Sequence, residues 1–225
     1  MQIIPIRSSY RFTCLMILLT ALPSLGRAEV RAGVEIGVNL SSLSYDDDDH
    51  FLLSYWDRDW SNSLTGGVSL DVTLRARLGL ETGLRYIRQG NRVEYDTGPI
   101  GPRAVGKFRI VQDYLSIPVR LAYRPFASRR LCFSLGPEIA LLLSGRLIVE
   151  ESMPEERSED NNIKDDLDSS NLSLNAGAGL EFPVENHVGV LSLRYSHGLT
   201  GVAKEDRWFS DWKTRGVELL VGMQW

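Results

Sequence analysis

The stretch Arg215-Gly-Val-Glu-Leu-Leu-Val-Gly-Met-Gln-Trp225 constrains this chain more than any other. Read at every second residue, Arg215, Val217, Leu219, Val221, Met223 and Trp225 form a mostly apolar row. Thr214, Gly216, Glu218, Leu220, Gly222 and Gln224 form a small or polar one. Successive side chains of a strand point to opposite faces, so the segment has one greasy and one polar face. A soluble β-sandwich would turn the greasy face inward. A membrane barrel turns it to lipid and the polar face to its lumen, at about ten residues per strand.

The same period-two pattern returns along the chain. It marks strands at Val30–Leu40, Leu64–Leu74, Leu78–Arg88, Tyr114–Tyr123, Leu131–Leu143, Leu172–Phe182 and Val188–Gly198, so the terminal segment is the eighth. Pro118 lacks a donor and predicts a bulge or a missing rung in the fourth. The connections alternate: odd ones run about 15 to 27 residues and even ones about three to seven. A sandwich has no reason to segregate its loops by end, whereas small outer-membrane barrels carry short periplasmic turns and long external loops. Tyr123, Phe182 and Trp225 fall beside short turns, and Tyr86, Tyr114 and Tyr195 beside long loops, as two interfacial belts would. The expected fold is therefore an eight-stranded antiparallel transmembrane β-barrel over residues 29–225, placed in the outer membrane. Eight strands close without an edge, as backbone groups in lipid require.

Residues 1–28 read as a secretory signal peptide, with Arg7 and Arg11 ahead of an apolar run at Phe12–Leu22 and small residues near Ala28. That run is too short for a membrane-spanning helix, which needs roughly 20 apolar residues. Losing Arg7, Arg11 and Arg27 takes the formal charge from −4 to −7, which argues against nucleic acid as a partner. Cys14 would leave with the leader, so Cys132 has no intrachain disulfide partner.

The lumen-facing rows contain Glu35, Asp71, Glu81, Arg85, Arg120, Glu138, Glu181, Arg194 and Glu218. An eight-stranded barrel is narrow enough for side chains to fill it. Charges there must be paired or hydrated, so a salt-bridge network plugging the interior is expected, with a narrow ion or proton path as the alternative. The acids outnumber the arginines, which leaves some carboxylates to be protonated or bridged by water.

No catalytic, cofactor-binding or metal site emerges. A lipid-modifying enzyme would need serine, histidine and a carboxylate near the outer rim. Ser196 and His197 are adjacent on a strand, face opposite ways, and cannot act on each other, while His50 lies in the first loop. The acidic runs Asp46–Asp49 and Glu150–Asp168 lack the spacing of a defined Ca²⁺ loop and read as solvated surface. Trp56, Trp60, Trp208 and Trp212 are expected to be exposed, anchoring loops at the lipid interface or meeting a protein partner. Trp225 is placed where outer-membrane barrels carry the aromatic that the barrel-assembly machinery recognises.

Ala32-Gly-Val-Glu-Ile-Gly-Val-Asn-Leu-Ser41, Leu80-Glu-Thr-Gly-Leu-Arg-Tyr86 and Tyr114-Leu-Ser-Ile-Pro-Val-Arg-Leu-Ala-Tyr123 resemble the PorT-like outer-membrane β-barrel family. So do Gly136-Pro137, Ala176-Gly-Ala-Gly-Leu-Glu-Phe182 and Arg194-Tyr-Ser-His-Gly-Leu199. The resemblance implies a small outer-membrane barrel with no set of catalytic residues. The expected role is non-enzymatic, structural or interactive, through loops that can meet an unidentified protein.

Overall fold

The computed structural model describes residues 29–44, 56–96, 105–126, 130–153, 157–204 and 212–225. The leader at 1–28, His50, the aspartates of the first loop and Trp208 lie outside them. Among the described residues nine strand segments follow one another: β1 (Val30–Ser44), β2 (Trp56–Arg75), β3 (Leu78–Asp96), β4 (Val105–Tyr123), β5 (Leu131–Met153), β6 (Arg157–Asn162), β7 (Ser170–Val184), β8 (His187–Gly198) and β9 (Lys213–Gln224). Eight of them form a closed antiparallel ring, β1-β2-β3-β4-β5-β7-β8-β9, with β9 hydrogen-bonded back to β1. The ninth, β6, is a short return strand on the outer half of β5, pairing Arg146–Glu151 with Arg157–Asn162. No helix among the described residues is long and apolar enough to cross a membrane; this chain crosses with strands.

The two faces are those that the alternation predicts. Val34, Ile36, Val38, Leu64, Val68, Leu135, Ile139, Leu193, Leu219 and Val221 all point outward and are exposed, while Asn39, Thr65, Asp71, Arg85, Glu138 and Glu218 point inward and are buried. Tyr123, Phe182 and Trp225 lie outward beside the short turns, with Tyr86 and Tyr195 outward beside the long loops. Tyr114 does not join them. It is only 1% exposed and faces inward, because it shares the even-numbered row of β4 with Ser116 and Arg120.

The strands are longer than the apolar alternation suggests. β2 begins at Trp56, β3 runs on to Asp96, β4 starts at Val105 and β5 continues to Met153. The hydrophobic row stops where lipid stops, but backbone pairing continues into water, and β2 to β6 project beyond the external rim as one sheet. Pro118 does cost rungs: the β3–β4 pairing skips from Thr82↔Val119 to Arg85↔Ser116 without a change of register. The bulge lies elsewhere, where the β4–β5 register shifts between Asp113 and Tyr114.

Glycine sets how closely the strands approach around the inward arginines. Gly67 stands directly across from Arg85 and Gly177 across from Arg194. A Cβ on Gly136 would lie 2.7 Å from the Arg120 Cα. A Cβ on Gly67 would overlap the Leu84 carbonyl oxygen and lie 2.7 Å from the Arg85 Cα. The Gly67→Ala variant is therefore expected to lose about 1 to 3 kcal/mol by overpacking, read as a lower urea midpoint in lipid vesicles. An unchanged midpoint would show that the strands can move apart.

Candidate functional site

All nine charged residues of the predicted lumen rows turn into the barrel. At mid-height Arg85 is the hub. Its Nε lies 2.9 Å from Glu35 Oε1, its Nη1 3.1 Å from Glu138 Oε2 and its Nη2 2.6 Å from Glu218 Oε2. Arg194 donates from both terminal nitrogens to the two Glu35 oxygens, at 2.7 and 2.8 Å. Toward the periplasmic end, Arg120 Nε meets Glu81 Oε2 at 3.3 Å. The four strands that supply Glu35, Arg85, Glu138 and Glu218 are spread around the ring, so this one cluster ties its opposite walls together.

Two participants were not among the nine expected. Arg124 follows β4 and turns back into the lumen, where it pairs with Asp71 and donates from Nε to Glu181 Oε1 at 2.9 Å. Arg31 reaches the same carboxylate, 3.9 Å from Glu181 Oε2, and also pairs with Glu29. The signal was present in the parity: Arg124 continues the inward row Ser116, Pro118, Arg120, Ala122 through the start of the turn. With these two and Glu29, seven carboxylates meet five arginines among the described residues, and the acid excess narrows from three to two.

Between the two layers of ion pairs is a cavity of about 40 Å³, lined by Glu81, Arg120, Cys132, Ser134, Ser192 and Arg194 among others. Ligand pockets run to hundreds of Å³, so this space takes water and nothing much larger. Cys132 is a free, buried thiol there, its Sγ 3.7 Å from Glu81 Oε1.

The external mouth is closed by apolar side chains. Leu43, Ile110, Tyr114, Leu142, Leu167, Val202, Ala203 and Trp212 form one buried cluster. Loop segments carry half of it: Asp168 N donates to Val202 O at 3.1 Å, Val202 N to Trp212 O at 2.9 Å and Leu142 N to Ser169 O at 2.9 Å. Within the acidic stretch Glu150–Asp168, β6 pairs back onto β5 and is followed by a 3₁₀ turn (Lys164–Asp166) that drops Leu167 into the mouth. Trp212, expected to be exposed, is 2% exposed because its indole belongs to this cap. Trp60 is exposed, as expected. Burying a leucine or tryptophan here contributes on the order of 1.5 to 3 kcal/mol each.

Ser196 turns inward and His197 toward the outer face, so the two do not meet. Among the described residues no group of three or more His, Cys, Asp or Glu side chains can hold a metal ion. On the external sheet, the Lys107 ammonium hydrogen-bonded to Glu94, 2.8 Å away, holds that carboxyl below its ordinary range.

A closed ring with an apolar exterior, two aromatic belts and a charged interior is a small transmembrane barrel. The chain belongs to the outer membrane protein beta-barrel domain family, whose model matches residues 21–204, and the protein lies in the outer membrane. No curated protein matches it. Among solved structures it is similar to Ail of Yersinia pestis, crystallised with the heparin analogue sucrose octasulfate (18% identity over 88% of this chain and 99% of that one, TM-score 0.37). It is also similar to Neisserial surface protein A (14% identity, 88% and 98%, TM-score 0.43) and to OprG from Pseudomonas aeruginosa (10% identity, 89% and 98%, TM-score 0.44).

Removing the hub should expose how much it matters. Breaking a buried ion pair from one side costs about 3 to 5 kcal/mol, because the remaining charges are left unpaired. Arg85→Gln leaves Glu138 and Glu218 in that state and should lower unfolding stability by this amount in a urea titration. A loss under about 1 kcal/mol would mean that water reaches the cluster freely.

Proposed function

We propose that this protein is a sealed, non-enzymatic outer-membrane barrel whose work is done by its external sheet and loops, in a structural role or in contact with another protein. The observation that carries this reading is the double closure of the lumen, by ion pairs from Arg85 to Arg124 and by the apolar cap around Leu167 and Trp212. A path for ions would need both layers to open. In planar bilayers the purified protein is expected to give no stepwise conductance, and a steady unit current from the intact protein would overturn the sealed-barrel reading.

Residues 1–28 are read as the export leader and 29–225 as the mature barrel. Trp225 is read as an element that the assembly machinery recognises. Its backbone supports this, since Trp225 N donates to Ala32 O at 2.9 Å and Trp225 O accepts in return from Ala32 N at 3.2 Å, at the foot of the closing seam. Deleting Trp225 is expected to lower the amount of heat-modifiable protein in the outer-membrane fraction, judged by boiled against unboiled gel samples. Undiminished levels would rule out that role.

A further inference from the structure

The lipid-facing side of β3 and β4 does not end at the outer aromatic belt. Tyr86, Arg88, Arg92 and Glu94 occupy one face of β3, and the β4 residues directly across, Asp113, Arg109 and Lys107, share it. Below Tyr86 this face is apolar and exposed, so it contacts lipid tails. Immediately above, it must contact headgroups.

Its chemistry there is specific. Arg92 and Arg109 stand directly opposite one another, an arrangement of like charges that weakens a strand pair unless something anionic lies between or beside them. The available relief is partial. Glu94 lies 3.4 Å from Arg92 but is shared with Lys107 at 2.8 Å, and Arg109 takes Glu150 of β5 at 3.0 Å. On the β3–β4 pair itself, four cations meet two carboxylates. Arg88, the lowest of them, is held in place: its Nε donates to Asp113 Oδ1 at 2.6 Å, and Asp113 also accepts from the Tyr86 hydroxyl at 2.5 Å and from Ser144 Oγ at 2.6 Å. The side chains of Arg88, Arg92, Lys107 and Arg109 nevertheless remain 40 to 45% exposed. Guanidinium groups fixed in this way suit the bidentate recognition of phosphate.

We propose that the outward face of β3 and β4 beyond Tyr86 binds the phosphate groups of outer-leaflet lipid, through Arg88, Arg92 and Arg109. The bound phosphate relieves the Arg92–Arg109 opposition and fixes the height of the barrel in the leaflet.

The test uses the full chain in mixed micelles doped with bisphosphorylated lipid A, or with the same lipid stripped of its phosphates. Lipid retained after size exclusion is measured by mass spectrometry, and folding by the heat-dependent gel shift. The R88Q/R92Q/R109Q variant should retain at least about tenfold less lipid A than the natural protein, since each surface cation contributes roughly fivefold to attraction for an anionic lipid surface. K164Q/K204Q, which removes exposed cations elsewhere on the external side, should retain as much as the natural protein. If the triple variant fails to fold, R92Q/R109Q takes its place. Equal retention by the arginine variant, an equal fall in K164Q/K204Q, or equal retention of the phosphate-free lipid would each overturn the proposal.

Discussion

Hydrocarbon offers no partner to a backbone N–H or C=O, and everything else in this protein follows from satisfying those groups. The chain does so by returning to its own start. β9 pairs with β1 from Gly33↔Gln224 to Ser44↔Lys213, which turns a sheet with two edges into a ring with none. Closure then dictates the rest: alternate side chains are forced into a narrow space too enclosed for an unpaired charge. The lumen is filled because the ring is small.

How it is filled is a matter of packing as much as of electrostatics. Three arginines enter the lumen where a neighbouring strand offers a glycine, at Gly67, Gly136 and Gly177. A side chain at those positions would compete with the guanidinium stems for the same volume. Charge and hydrophobicity are also segregated by height. Lumen ion pairs occupy the middle and periplasmic levels, where strands supply most of the partners and Arg124 turns in from just past β4. The external mouth, where loops arrive from outside the ring, is closed by leucine, valine and tryptophan, which need no partner of fixed geometry.

Period-two alternation made the barrel legible in the sequence, because lipid imposes one apolar row on each strand and the narrow lumen imposes the other. The inward residues, from Glu35 to Glu218, could be read off directly for the same reason. The pattern became silent where its cause ended. Above the belt the outward face of β3 and β4 turns polar, so Arg88–Asp96 and Val105–Asp113 lose the outward apolar row that marks a membrane strand although they are fully paired. Tyr114 and Trp212 were misplaced because aromatic residues near a rim suit either a lipid interface or an inner cap, and only parity or contact separates the two. Arg124 was missed because the lumen row was followed only to the end of the fourth strand at Tyr123, when its parity already pointed in.

Cys132 gives the closed wall a chronological meaning. The thiol sits on β5 across from Gly179 of β7, beside the Glu81 carboxylate, and is buried in the finished wall. A chain whose β5 has not yet been joined by β7 leaves that sulfur open to any alkylating reagent, and a finished barrel shields it. The sulfur therefore acts as an internal clock hand, recording in each molecule whether the wall was complete when the reagent arrived.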